Sequence, residues 1–325
     1  MSVAAGGCRM FGTEGLFRTR GVVVYDKDLS CELDWPKLAH ECGINTIATH
    51  FGPPDVKAFM RSERGAKFRA DCARYGIRIE HELHSMRYFV PRSLFKTRPE
   101  LFRMDEKGER NPDGNFCVSN PEAVEMAARA AVETARICVS TTGRYFFWRD
   151  DGPAMACRCP KCRELSVAEQ GVVVENAMVR ALRAEVNPEA TLSHLAYGPT
   201  VTVPVKVKPD PALFVEYAPF RTRADRKPLG DANWAELDAL LAAFPRDTAQ
   251  VLEYWLDESL FCYWKKTRRP IVWDDAQFRA DVEGYARRGI RNITTFAAWI
   301  DDAYMKTVGD LGPVRAYGRI LSEWQ

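Results

Sequence analysis

Long hydrophobic runs are missing from this chain. No segment of its 325 residues reaches the roughly 18 consecutive apolar positions that a membrane-spanning helix needs. The opening stretch MSVAAGGCRMFGTEG lacks the basic and then apolar order of a secretion signal. An excess of charge of one sign is missing too: 46 Lys and Arg stand against 44 Asp and Glu, a net charge of +2. That balance, spread without long runs, excludes the basic stripe of a nucleic-acid binder. No G-x-G-x-x-G turn follows the first apolar run, VVVYDKDLSC, and no P-loop occurs, so the usual cradles for dinucleotides and nucleotide phosphates are absent. These absences lead us to expect a cytoplasmic protein that binds neither nucleic acid nor membrane and needs no catalytic cofactor.

What the chain does have is core. Hydrophobic residues make up 46% and charged residues 28%, enough apolar side chain for a large folded unit and unlike a disordered segment. Apolar, β-rich runs alternate with amphipathic stretches throughout. GVVVYD at Gly21 to Asp26 reads as a strand, and WPKLAHECG reads as a helix with Pro in its first turn and Gly43 as its stop. The pair recurs. Strands are expected at NTIATHFG, IRIEHELHS, RYFFWRDD, TLSHLAYG, ALFVEYAPF, AQVLEYWLD and RNITTFAAW. Intervening helices are expected over 55–75, 121–139, 166–186, 233–244 and 274–288, and VRAYGRILSEW closes the chain as a helix. Eight strand-then-helix steps with continuously apolar strands predict a parallel sheet covered on both faces. The simplest closure is a single-domain (β/α)8 TIM barrel over 1–325, with a long insertion from Met86 to Ser119 after the third strand and a cysteine-containing loop after the fourth. A doubly wound open sheet is the rival, and the missing glycine-rich turn counts against it.

A barrel leaves only the C-terminal rim of its strands and the loops beyond for chemistry. His50 ends the second strand, and Glu80, Glu82 and His84 share one face of the third. Asp150 and Asp151 end the fourth strand and Tyr197 the fifth; Glu216 and Tyr217 lie on the sixth; Glu253, Tyr254, Trp255 and Asp257 follow on the seventh; Trp299 and Asp301 close the eighth. Carboxylates on apolar strands are costly to bury unless paired or solvated in a cleft. The same acids can also cap helices or shape turns, and Asp257 and Asp301 sit where a following turn would use them. Trp148 and Trp255 read as packing residues, whereas Tyr197 and Trp299, last on their strands, suit a wall against a sugar ring. Two carboxyl groups across a barrel mouth suit glycosidic bond cleavage, one protonated and one ionised. On that reading Asp151 is the general acid, with Asp150 beside it raising its pKa by repulsion, and Glu253 is the nucleophile or base. His84, Asp150, Tyr197, Glu216, Tyr254 and Trp299 then bind the carbohydrate substrate.

The run HSMRYFVPRSLFKTRPELFRMDEKGERNPDGNFCVSNPEAVEMAA, followed by RDDGPAMACRCPKC, LAYGP and LEYWLDES, resembles an uncharacterised family of bacterial glycoside-hydrolase-like barrel proteins, distantly similar to alpha-glucuronidases and beta-hexosaminidases. The resemblance covers roughly Gly76 to Ser259 and implies a (β/α)8 barrel that acts on, or at least binds, carbohydrate. It rests on His84, RPELF at Arg98 to Phe102, CVSNPE at Cys117 to Glu122, Asp151 with Gly152, Tyr197, and Glu253 with Tyr254.

Of ten cysteines, only Cys157, Cys159 and Cys162 are clustered, as C-x-C-x-x-C. Cys42, Cys72, Cys138 and Cys262 read as small buried hydrophobes. The triplet supplies three ligands of a tetrahedral structural zinc site whose fourth ligand the spacing does not name; reduced thiols or a labile disulfide are the other readings. His194 is the only downstream histidine and lies within a strand. Two alternatives to a hydrolase follow: a zinc-containing nucleobase transferase, similar to the tRNA-guanine transglycosylases, and a non-catalytic carbohydrate-binding barrel.

Overall fold

Runs rich in Val, Ile, Thr and aromatic residues form eight parallel strands that close on themselves. In the computed structural model, which describes residues 15–30, 32–50, 52–152, 156–262 and 268–324, the strands are β1 (Thr19–Tyr25), β2 (Thr46–His50), β3 (Arg78–His84), β4 (Arg144–Trp148), β5 (Thr191–Ala196), β6 (Leu213–Tyr217), β7 (Gln250–Glu253) and β8 (Asn292–Phe296). Each pairs with its successor, and β8 pairs with β1 in register Thr19 to Asn292, which completes the barrel. The expected stretches 1–14 and Pro153 to Met155 lie outside the described residues. Among the described residues no helix is long and apolar enough to cross a membrane.

The helices end where the sequence supplies caps. Asp34 accepts from the Lys37 N–H to start the helix Trp35–Cys42, and Gly43 stops it at φ +79°. The helix expected over 55–75 is two, Pro53–Arg61 and Glu63–Tyr75. Ser62 makes the break: its hydroxyl donates to the Phe59 carbonyl and accepts from the Gly65 N–H. A reciprocal Ser166 and Glu169 capping box opens the helix Val167–Glu185. The expectation of a helix in every step fails between β5 and β6, where the chain makes only a 3-10 turn at Gly198–Thr200 before reaching β6. The insertion after β3 folds as a short helix, Met86–Phe89, two 3-10 turns and an antiparallel hairpin of Phe102–Met104 with Arg110–Phe116.

Side chains at alternate positions fill the barrel in tiers. At its N-terminal end Arg144 lies over the Phe214 ring at 4.0 Å and donates to the Gln250 side-chain oxygen at 2.9 Å, with Glu80 3.6 Å away. In the next tier the Gln250 amide donates to Glu216 at 2.9 Å, and the Trp148 indole N–H donates to the other Glu216 oxygen at 2.8 Å. Burial pushes the Glu216 carboxyl up to about 8, and burial together with the neighbouring Glu216 holds Glu82 well above the usual range. Aromatic rings form the last tier, at the C-terminal mouth.

Candidate active site at the barrel mouth

The mouth encloses a cavity of about 270 Å³. Trp148 lies at its floor, and His50, His84, Tyr25, Tyr197, Tyr254, Phe220 and Phe296 form much of its wall. The rings support one another: Tyr254 stacks on Phe296 at 5.4 Å, and His50 and His84 meet the Trp148 ring at 5.6 and 5.3 Å. His50 Nδ1 donates to the Glu82 carbonyl and His84 Nδ1 to the Arg149 carbonyl, both at 2.6 Å. A carbonyl can only accept, so each neutral ring carries its lone pair on Nε2. Burial pushes His50 down to about 3 and lowers His84 as well, so both imidazoles are neutral at physiological pH.

Two carboxylates reach this cavity: Asp151, just after β4, and Asp257, just after β7. Asp151 is exposed, receives the Tyr197 hydroxyl at 3.3 Å and accepts from the Gly152 N–H at 2.8 Å. Asp257 is only 4% exposed and accepts from the Ser259 N–H at 2.8 Å. Burial pushes its carboxyl up to about 6, which that hydrogen bond opposes only in part. Asp151, Tyr197 and Phe220 also border a second, open groove of about 860 Å³ that runs toward the hairpin, past Arg103, Asp113, Arg158 and Arg221. Asp151 thus stands at the boundary between a small aromatic chamber and a wider polar channel.

The remaining expected site residues fall into three groups. His84, Tyr197 and Tyr254 are in the chamber wall. Asp150 and Glu216 lie behind it. Asp150 is 1% exposed, within 3.6 Å of Arg87 and 3.7 Å of Arg92. Glu216 is below the floor, holding Trp148. Trp148, read from the sequence as a packing residue, both packs and forms the chamber floor. Trp255, also expected to pack, does so against Phe278 at 4.7 Å.

Glu253 and Trp299 require correction. Glu253 projects out of the barrel toward the helices, fully buried, with Arg223 donating to both its oxygens at 2.8 and 2.7 Å and the Tyr285 hydroxyl donating as well. It cannot meet a substrate in the mouth, because its neighbours Leu252 and Tyr254 take the inward positions. Trp299 does not line the chamber; it has φ +63°, its N–H donates to Asp28 at 2.9 Å, and its ring lies beside Arg268. Asp257, a rim acid that the sequence also suits to a following turn, does both: it accepts from the Ser259 N–H in that turn and lines the chamber.

The cysteine triplet has a fourth member. Cys117, at the end of the hairpin, joins Cys157, Cys159 and Cys162, and the four buried sulfurs lie within 4.8 Å of one another. His194 is elsewhere, its Nδ1–H donating to the Glu175 carboxylate at 2.7 Å and its ring stacked on Phe244.

Comparison with known proteins agrees with the architecture. Three similar solved structures are an O-GlcNAc hydrolase mutant from Thermobaculum terrenum (TM-score 0.53, 12% identity, 95% of this chain and 61% of that one), a cold-adapted beta-galactosidase from Rahnella sp. R3 (0.54, 12%, 95% and 57%) and a GH42 beta-galactosidase from G. stearothermophilus (0.52, 12%, 95% and 57%). At that identity the likeness shows the fold alone, and the chain spans about 60% of the length of these neighbours. No curated protein matches the sequence. Residues 48–249 match the profile of a family described as a domain of unknown function, DUF4838. The chain belongs to the DUF4838 family and folds as a (β/α)8 barrel.

Proposed function

We propose that the mouth is the active site of a glycoside hydrolase, with Asp151 and Asp257 as its two carboxyl groups. The observation that carries this reading is their position: both line one ring-walled chamber, on loops that follow β4 and β7. Glycosidic cleavage requires one protonated and one ionised carboxyl group flanking the bond. Asp257, raised to about 6 by burial, is the proton donor. Asp151, exposed and hydrogen-bonded to Tyr197, is the nucleophile or the base that activates water. Tyr254 on Phe296 offers a stacked apolar face to a sugar ring, and the neutral His50 and His84 supply polar edges for its hydroxyls. The groove beyond Asp151 then takes the remainder of a longer glycan or glycoconjugate. The glycosidase activities named for the structural neighbours support the reaction class, and the residue assignment rests on the mouth itself.

The test is a panel of aryl and natural glycosides with Asp151→Asn and Asp257→Asn. Each is expected to lower kcat/KM by about 10²–10⁴-fold or more with unchanged circular dichroism. Asp257→Asn should lose less on aryl glycosides with acidic leaving groups, which need no proton. The anomer first released by the wild type, read by proton NMR, should retain configuration if Asp151 is a nucleophile and invert it if Asp151 is a base. Full activity in either variant overturns the pair. Sugar-dependent thermal stabilisation of the wild type without turnover on any member of the panel would instead make the barrel a carbohydrate-binding module.

A further inference from the structure

We propose that Cys117, Cys157, Cys159 and Cys162 bind one structural zinc ion that clasps the hairpin insertion to the loop after β4. Cys117 Sγ lies 3.8 Å from Cys159 Sγ and 3.9 Å from Cys162 Sγ. A tetrahedral zinc with zinc–sulfur bonds of about 2.3 Å has sulfur–sulfur edges of about 3.8 Å. A disulfide needs about 2.05 Å and joins two sulfurs, whereas here four converge with no pair singled out. Hydrophobic packing alone does not gather four thiols from segments 40 residues apart in sequence around a common centre.

The surroundings suit a thiolate centre. Four thiolates around a divalent ion leave two negative charges, and the groups facing the sulfurs are donors. The Met104 N–H donates to Cys157 Sγ at 3.3 Å, the Arg110 guanidinium is 4.0 Å from the same sulfur, and the Ser119 hydroxyl is 3.3 Å from Cys117 Sγ and 3.4 Å from Cys159 Sγ. Gln170 fixes the loop backbone, accepting from the Cys157 N–H at 2.8 Å and donating to the Cys162 carbonyl at 2.9 Å. Binding replaces each sulfur–hydrogen bond by a sulfur–zinc bond and releases the thiol protons to solvent. With four protein ligands the coordination is closed, so the ion builds structure and does no chemistry.

Its position gives it a mechanical role. Cys117 ends the hairpin just before the helix Pro121–Ile137; the other three lie on the loop that leaves β4 past Asp151. One backbone bond, from the Arg158 N–H to the Met104 carbonyl at 2.8 Å, already ties the two segments. Arg103 and Asp113 on the hairpin and Ala156 and Arg158 on the loop all line the groove. The ion therefore sets the groove's shape, a consequence that rests on the proposed active site, whereas metal binding itself does not.

The test is metal analysis of the full chain purified under reducing conditions with added zinc. One zinc per chain is expected, with the cluster thiols reacting with a thiol reagent only after chelation. Cobalt substitution should give the intense visible absorption of a tetrahedral thiolate site. Cys117→Ser should lose most of the zinc, and Cys42→Ser, outside the cluster, should keep it. If Cys117→Ser does not fold, the cobalt spectrum and thiol protection of the wild type still decide. Iron at one per chain overturns the zinc assignment. No bound metal in chains with reduced thiols, or full zinc in Cys117→Ser, overturns the site. Each readout is independent of activity, so failure of the hydrolase reading leaves it standing.

Discussion

Strand parity keeps Glu253 out of the mouth, whereas Asp257, beyond the end of β7, reaches it through a turn. Successive strand residues face opposite sides, so Leu252 and Tyr254 cannot enter the barrel unless Glu253 leaves it. This was legible in the sequence: an acid between two apolar or aromatic inward positions belongs to the helix side. Asp257 was less legible, because its return to the mouth depends on the turn after β7, where its N–H donates to the Tyr254 carbonyl at 3.2 Å. Glu253→Gln should therefore behave as a folding variant. It leaves Arg223 buried with Asp281 alone as an anionic partner, and denaturant titration should show a loss of about 3–5 kcal/mol, with turnover retained wherever the variant remains folded. Asp257 should mark activity instead. With its carboxyl at about 6, the acid form is lost as pH rises through that value. The kcat/KM profile is thus expected to fall on the alkaline side with an apparent pKa near 6. A flat profile from pH 5 to about 8 would remove Asp257 from the donor role.

At the level of elements, caps and apolar patterning made most strands and helices readable, and close approach decided what they could not. The C-terminal helix Gly312–Glu323 crosses the helix Trp35–Cys42 at Gly318, where an added Cβ would sit 2.2 Å from the Cys42 carbonyl oxygen. Backbone cannot yield as a side chain can. Gly318→Ala is accordingly expected to cost about 1–3 kcal/mol, despite alanine's better helix propensity, and thermal denaturation would show it as a lowered Tm. The hairpin was invisible to periodicity. Its second strand reads RNPDGNF, with Pro112 and Gly114 interrupting any alternation, and it is held by contacts such as the two bonds from Arg103 to Asp113 at 2.7 Å. The spacing of the triplet does not point to its fourth member for the same reason. Cys117 is 40 residues from Cys157 in sequence and meets it only because the hairpin folds back over the loop.

At the scale of the whole molecule, the barrel interior sets Glu80, Glu82 and Glu216 near the Arg144 guanidinium, an arrangement that couples stability to pH. The Glu216 carboxyl is raised from 4.5 to about 8, so the folded chain holds a proton that the unfolded chain has already lost across that interval. The associated stability is complete below the unfolded value and is lost as pH rises through the folded one. Tm should fall from pH 6 to pH 9, and Glu216→Gln, which keeps a hydrogen-bonding side chain without a proton to lose, should fall less; equal slopes would show that other groups govern the dependence. The barrel as such was readable from eight repeated strands, but its contents were not, since which polar residues meet at the axis depends on register. That register also has a bearing on how the chain acquires its shape. β1 has β2 on one side, yet its other edge waits for β8, and Thr19 bonds to Asn292 across 273 positions of sequence. During synthesis the first strand is an open edge until nearly the last helix emerges. Closure is thus a late event with a large loop entropy behind it, and until it occurs β1 and β7 are the edges most exposed to pairing with another nascent chain.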